Sequence, residues 1–508
     1  MELRSGRRLR SLPPPQAGRR TTRSQGFSGG DDEDRIGALP DDLLLQVIER
    51  LGCPRAAART GILSSRWRGL WTCIPRVTVI LDDIELGDLE AALARAACAG
   101  LHLLDISVAY WHGKVTAFQV ETVLAAADRL SPVELRFDTC PSIRYSSSGV
   151  CLPSFSRATS IEMFGLRELT PAASGLPALE RLSLYNEHGL RLGNLIQRCP
   201  CLRVLNLDLG IERRPATSDV DLRIHSTSLE ELCVKRYRGH ALVIDIMAPM
   251  LQKLDLTVVT SFSHDVIAIS IWAPVMEKIS WSCNYLDSSA CIGILWRLGR
   301  LQLTAVRRRR NDTIPYNGED NTCLYLPIFP AVTGMEPAEW DFVEEIRKIE
   351  NTFPAVEFST LKLEVNIIWK TGHVFGPLVL SLLGISWIRR ATRRLEINLK
   401  RRNSEQWCAR GTNCPCDQPG NWRTKPNSLT LINLEEVEIE GIEGLDDEFD
   451  FLKVVFQFAL KLKKVNVKVS DRVTPSALKK IDNMFKEYPR VECCVTSAPV
   501  SATRPAEN

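Results

Sequence analysis

The chain has 508 residues, of which 44% are hydrophobic and 25% charged, and its formal net charge is +3. That is the composition of an ordinary globular protein with room for about three domains, or for one short module and a long solenoid. The near-neutral charge argues for no nucleic-acid and no membrane partner, and the longest apolar stretch, Val374 to Ile388, is too short to span a bilayer and carries Gly376, Pro377 and Gly384.

Residues 1–34 set arginines among Ser, Pro, Gly and Thr, then run into Asp31-Asp32-Glu33-Asp34, with almost nothing to build a core. They read as a solvated, disordered tail. A basic nuclear-import signal is the functional reading of the same residues, and an organelle transit peptide a third. The arginine-rich start lacks the apolar run of a signal peptide, so the sixteen cysteines read as reduced thiols rather than a disulfide framework. The expected setting is nucleus and/or cytoplasm.

Residues 35–75 predict a compact helical unit. Pro40 fits the first turn of a helix, and Asp41 and Asp42 place negative charge at its positive end. Leu44, Ile48 and Leu51 recur at helical spacing, with Leu43 and Val47 as a second apolar row. Gly52 ends the run and Pro54 opens another helix; Trp67, Leu70 and Trp71 share one face of a third, capped by Ser64 or Ser65. So much apolar surface exceeds what about forty residues can bury alone. It serves either as the start of the next domain's core or as a docking surface.

The ordered set Leu39-Pro40, Leu43 to Leu51, Leu63-Ser64-Ser65-Arg66-Trp67-Arg68 and Leu70-Trp71 resembles an F-box. The resemblance implies docking on a Skp1-like adaptor and, through it, a cullin. It also implies that Leu39, Pro40, Leu43, Ile48, Leu51, Trp67 and Trp71 include the adaptor-facing residues, some of which must instead hold the helices together.

Over 76–303 the pattern Leu-x-x-Leu-x-Leu repeats, as in Leu179, Leu182, Leu184 and Leu202, Leu205, Leu207. Its middle positions Leu182, Leu205, Leu232, Leu254, Ile279 and Leu301 are 23, 27, 22, 25 and 22 residues apart, within the range of leucine-rich repeats. Weaker copies reach back through Ile161, Val133 and Ile106 to Val77. Each predicts a strand with one buried face, and stacking predicts a curved parallel sheet. From 304 to 358 the period lapses into an irregular insertion, with a basic run Arg307 to Arg310 and a helix from about Pro337 to Asn351.

Strand patterns resume in 359–425 at Leu361-x-Leu363-x-Val365 and Leu395-x-Ile397-x-Leu399, and in 426–498 at Val437, Val465 and Val491. Helices at about 375–389, 446–461 and 475–487 lie between them, the last capped by Thr474 and Pro475. Leu434-Glu435-Glu436-Val437-Glu438-Ile439 with Gly441, the helix from Asp446 and Leu462-Lys463-Lys464-Val465 resemble the FBD domain that follows leucine-rich repeats in plant F-box proteins; Cys414-Pro415-Cys416-Asp417-Gln418-Pro419-Gly420-Asn421-Trp422 looks like a signature of the same group. Residues 499–508 read as a second disordered tail. The fold expected is therefore α/β: a short all-α F-box, an irregular leucine-rich-repeat solenoid with parallel sheet, and an α/β C-terminal cap.

Cys408, Cys414 and Cys416, with His373, are the sharpest alternative site, since three thiols in nine residues offer zinc ligands. The spacing is tighter than zinc pairs use, and ordinary thiols in a proline-held loop are the reading preferred; no metal and no cofactor are expected. No catalytic or phosphate-binding motif is recognisable, so the chain reads as non-catalytic. The resemblance implies a substrate-recognition subunit of a Skp1–cullin–F-box ubiquitin ligase, its target unknown. Exposed positions flanking the strand leucines, Arg181, Ser183, Arg203, Asn206, Glu231, Lys253 and Asp255, are the candidate target contacts. A repeat scaffold unrelated to ubiquitin is the alternative.

Overall fold

A computed structural model of the chain describes residues 36, 39–51, 59–67, 70–73, 76–81, 101–108, 116–139, 149–166, 169–171, 173–186, 194–209, 220–237, 242–260, 267–285, 290–292, 296–307, 322–330, 342–353, 356–369, 374–403, 422–423 and 430–497. The recurrence of the leucines every 22 to 27 residues has a direct structural counterpart. Leu182 pairs with Leu205, Leu205 with Leu232, Leu232 with Leu254 and Leu254 with Ile279, one residue per strand in a single row. All five side chains are buried, and each such side chain contributes about 1.5–3 kcal/mol by leaving water.

The row belongs to a run of parallel strands: Arg76–Leu81, Leu103–Val108, Glu134–Thr139, Ser160–Phe164, Arg181–Asn186, Val204–Leu209, Glu231–Tyr237, Lys253–Thr260 and Lys278–Tyr285. Alternation puts Leu104, Leu135 and Ile161 in the core, and Asp105, Arg136 and Glu162 on the open face. Against the core side pack the helix Ala117–Arg129, opened by a reciprocal Thr116–Gln119 capping box, and a second parallel sheet of Val220–His225, Leu242–Met247 and Ile267–Trp272.

Leu301 departs from the expected repeat. Its strand, Arg300–Arg307, runs antiparallel to Lys278–Tyr285, and Cys323–Pro330 runs antiparallel to it in turn. Between Tyr285 and Arg300 the described residues form a hairpin of Ala290–Ile292 with Trp296–Leu298, and antiparallel pairing does not need the crossover connection that parallel strands require. The reversal of direction thus comes at the last repeat copy, just before the period lapses, and within 304–358 the sheet continues through Cys323–Pro330. The helix expected near Pro337–Asn351 lies at Phe342–Thr352, with Phe342, Ile346 and Ile349 buried.

Parallel order then returns through Thr360–Trp369, Arg394–Asn403, Glu436–Ile442, Lys464–Val469 and Glu492–Ser497. The apolar stretch from Val374 forms two short, largely buried helices, Gly376–Gly384 and Ser386–Ala391. Helices Asp446–Phe458 and Pro475–Lys486 follow the expected spans, the latter capped by the Thr474 hydroxyl. Trp422, at the end of the proline-rich cysteine segment, is buried against Gly376, where any Cβ would overlap its ring. Among the described residues no helix is long and apolar enough to cross a membrane.

Candidate functional site

Two surfaces follow from this architecture, one on the N-terminal helical unit and one on the open face of the sheet. Helix Asp41–Glu49 begins after Pro40, whose carbonyl accepts the amides of Leu43 and Leu44. Leu44, Ile48 and Trp67 form a separate small core, with Leu39 and Leu70 packed partly against it. Arg66 clamps the Trp67 turn to the helix start through Asp41 at 2.6 Å. The segment expected to be a Ser-capped third helix is instead turns at 65–67 followed by a 3-10 turn, Leu70–Cys73.

The structure divides the seven candidate residues. Ile48 and Trp67 are 1% and 4% exposed and belong to the share of the set that holds the unit together. Leu39 is half-buried and Pro40 exposed. Leu43 and Leu51 are each 43% exposed, as is Val47 between them, and Ile62 and Leu63 are more open still. Leu43, Val47 and Leu51 fall four residues apart, so they make one uncovered apolar row. Trp71 lies in the 3-10 turn and its side chain is outside the described residues, as are Gly52 and Pro54.

On the open face, register gathers the candidate target contacts into two adjacent rows. Arg181, Val204, Glu231 and Lys253 form one; Ser183, Asn206, Cys233 and Asp255 form the other. Most of them are already engaged. Ser183 is 6% exposed and its hydroxyl accepts from Asn206 Nδ2 at 3.0 Å, which corrects its reading as an exposed contact: a small side chain between two strands sinks below its neighbours. Lys253 binds Glu231 at 2.6 Å. Arg203, which precedes its strand, makes a two-pronged pair with Glu230 and holds that carboxyl below the usual range. Arg181 is exposed.

Sequence reasoning missed the next row, Ser107, Asp138, Phe164, Tyr185, Asp208 and Lys235. Its signal was available, since each residue directly follows the second core-facing apolar residue of its strand, Ile106, Phe137, Met163, Leu184, Leu207 or Val234. Burial pushes the carboxyls of Asp105, Asp138 and Asp208 upward, Asp138 further through the neighbouring charge of Asp105. The sheet beyond Cys323 differs: Lys362 pairs with Glu396, Lys400 with Glu364, Lys468 with Glu438, and Arg394 with Glu396, Glu436 and Glu438.

Among the described residues no three His, Cys, Asp or Glu side chains converge as a metal site. Cys408, Cys414, Cys416 and His373 lie outside the described residues.

No protein-family model matches the chain. It is 29% identical over 225 residues to an F-box/FBD/LRR-repeat protein of Arabidopsis thaliana, covering 41% of this chain and 48% of the relative. A second F-box/FBD/LRR-repeat protein of that plant is 26% identical over 250 residues, 44% of this chain and 50% of the relative. F-box/LRR-repeat protein 13, also from Arabidopsis thaliana, is 25% identical over 256 residues, 45% of this chain and 53% of the relative. The chain thus spans about half the length of these curated relatives. Repeated likeness to proteins of one kind, on a sheet whose leucines stack one per strand, makes the chain a homologue of plant F-box/FBD/LRR-repeat proteins over about half its length.

Proposed function

We propose that the chain is a non-catalytic substrate receptor of a Skp1–cullin–F-box ubiquitin ligase, acting in nucleus or cytoplasm. The helical unit docks on a Skp1-like adaptor, the open face of the sheet holds a protein target, and other subunits move ubiquitin to a target lysine. Catalysis here is proximity: tethering replaces a bimolecular encounter with a raised local concentration. The observation that supports this best is the uncovered row Leu43, Val47 and Leu51, along a helix and the turn that ends it, beside the row of Leu44 and Ile48 that Trp67 already seals. An apolar row left in water beside a finished core is what an obligate partner covers. The relatives' F-box names point the same way.

The test is capture of the intact chain by a purified plant Skp1-type adaptor, against a Leu43→Asp, Leu51→Asp variant. Capture of the intact chain, and its loss in a variant that stays folded, supports the receptor role. Equal capture of both, or none by the folded intact chain, overturns it and leaves a repeat scaffold unrelated to ubiquitin.

A further inference from the structure

We infer that the open face over Glu134–Thr139 to Val204–Leu209 is a docking surface for an extended basic segment, with Arg or Lys side chains four residues apart. The inference rests on the receptor reading for calling the occupant a target; its chemistry rests on the sheet alone.

Phe164 and Tyr185 are register neighbours whose rings stack at 4.3 Å between centroids and 8° between planes. A stack across adjacent strands turns the ring planes along the strands, so one outer ring face looks toward Asp138 and the other toward Asp208, the next residues in the row. Each aromatic face with its neighbouring carboxylate makes a slot that fits a cation by charge and by the ring quadrupole. Asp138 and Asp208 are half-buried, and among the described residues neither forms an ion pair; Lys235, the register neighbour of Asp208, draws that carboxyl down without outweighing its burial, while Arg136 is taken by Glu162 at 3.2 Å. Half-desolvated carboxylates repelling one another, as Asp105 and Asp138 do, hold negative potential for an incoming positive charge.

Geometry sets the ligand. From Asp138 to Asp208 are three strand-to-strand steps, roughly 14 Å at about 4.8 Å each. An extended chain rises about 3.3 Å per residue, so side chains at i and i+4 span that distance and share one face. Beyond Cys323 the described carboxylates Glu364, Glu396, Glu436 and Glu438 are instead paired, with Lys400, Lys362, Arg394 and Lys468.

The test uses the full chain and a fluorescein-labelled Gly-Arg-Gly-Ser-Gly-Arg-Gly peptide, read by fluorescence anisotropy. The peptide binds, the Glu-for-Arg version does not, and Asp138→Asn with Asp208→Asn weakens binding by about tenfold or more. Both substitutions are isosteric and remove desolvated charge, so folding is preserved. Glu487→Gln, remote in the C-terminal helical region, leaves binding unchanged. Equal binding by the double variant, or by the acidic peptide, overturns the inference. Adaptor capture is measured in parallel: its failure with peptide binding intact removes the receptor reading and leaves the basic-segment surface standing.

Discussion

Arg401 donates into the carboxylate of Glu448, and the pair is almost sealed from water, at 11% and 1% side-chain exposure. It ties strand Arg394–Asn403 to helix Asp446–Phe458, across the boundary where sequence alone drew two units. The same carboxylate accepts the amides of Glu443, Gly444 and Leu445 at 3.1, 2.7 and 2.9 Å, so it closes the turn that opens the helix. A charge so placed contributes to geometry as much as to energy, and it titrates.

Burial pushes the Glu448 carboxyl up to about 7, against the pull of Arg401 and the backbone donors; an unfolded glutamate keeps its ordinary 4.5. Between those values the folded chain binds the proton more tightly. The stability linked to Glu448 is therefore full below about 4.5 and is lost as pH rises through about 7. Urea midpoints of the native chain should fall relative to Glu448→Gln across that window. Parallel pH profiles would sink the assignment. Arg401→Met removes the cation that opposes burial and pushes the carboxyl higher still, so its cost, about 3 kcal/mol, should appear above pH 7, where Glu448 would have to ionise unpaired.

Gly441 makes a second, local prediction. Its φ is +88°, a register shift falls between Glu440 and Ile442, and a Cβ there would overlap the Leu399 carbonyl. Gly441→Ala should destabilise by about 1–3 kcal/mol from backbone strain, more with the clash. Glu440→Ala, an exposed neighbour, should stay within about 0.5 kcal/mol. Denaturant titrations of the two variants compare them directly, and equal midpoints would refute the strain.

How much of this was legible follows from what each signal encodes. Leucine period predicts which residue of each strand faces the core, and Leu182, Leu205, Leu232 and Leu254 fall in register accordingly. Direction is not encoded by an alternating pattern, so Leu301 and Leu303 read the same in an antiparallel strand. Pro327 hid the strand Cys323–Pro330, since proline lacks the amide a central strand donates; here its carbonyl accepts from Gly299. Val220–His225 alternates plainly and Leu242–Met247 is a short apolar run, and both were overshadowed by stronger leucine repeats beside them. In the site, type and spacing located the helical unit, but which side of the helix Trp67 would seal depends on tertiary packing.

Arg394 is a hub: it reaches Glu396 at 2.8 Å, Glu436 at 3.3 Å and Glu438 at 2.8 Å. Burial pushes Glu438 up, but Lys468 and Arg394 outweigh it and hold the carboxyl below the ordinary range. Stability linked to Glu438 is thus present above the unfolded value of 4.5 and lost as pH falls. Arg394→Met removes one of the two cations, so acid unfolding should begin at higher pH, and stability at neutral pH should drop by about 1 kcal/mol after solvent screening. Acid titrations followed by circular dichroism decide it; an unmoved acid midpoint counts against the hub.

The helical unit makes the sharpest partition between folding and binding. Trp67→Ala removes the largest side chain from a core otherwise built on Leu44 and Ile48. The loss, about 3–5 kcal/mol, is of the order of everything so small a unit has to spend. That unit should unfold while the repeat sheet, whose core is separate, persists. Leu51→Ala, at 43% exposure, should change stability by no more than about 0.5 kcal/mol, yet weaken adaptor binding by about 2 kcal/mol if the row is the docking surface. Hydrogen exchange reads the first effect residue by residue, and calorimetric titration with the adaptor reads the second. A Leu51→Ala chain that binds as tightly as the native one would place the contact elsewhere on the unit, and a Trp67→Ala chain with native exchange at Leu44 and Ile48 would show that the small core does not hold the helix.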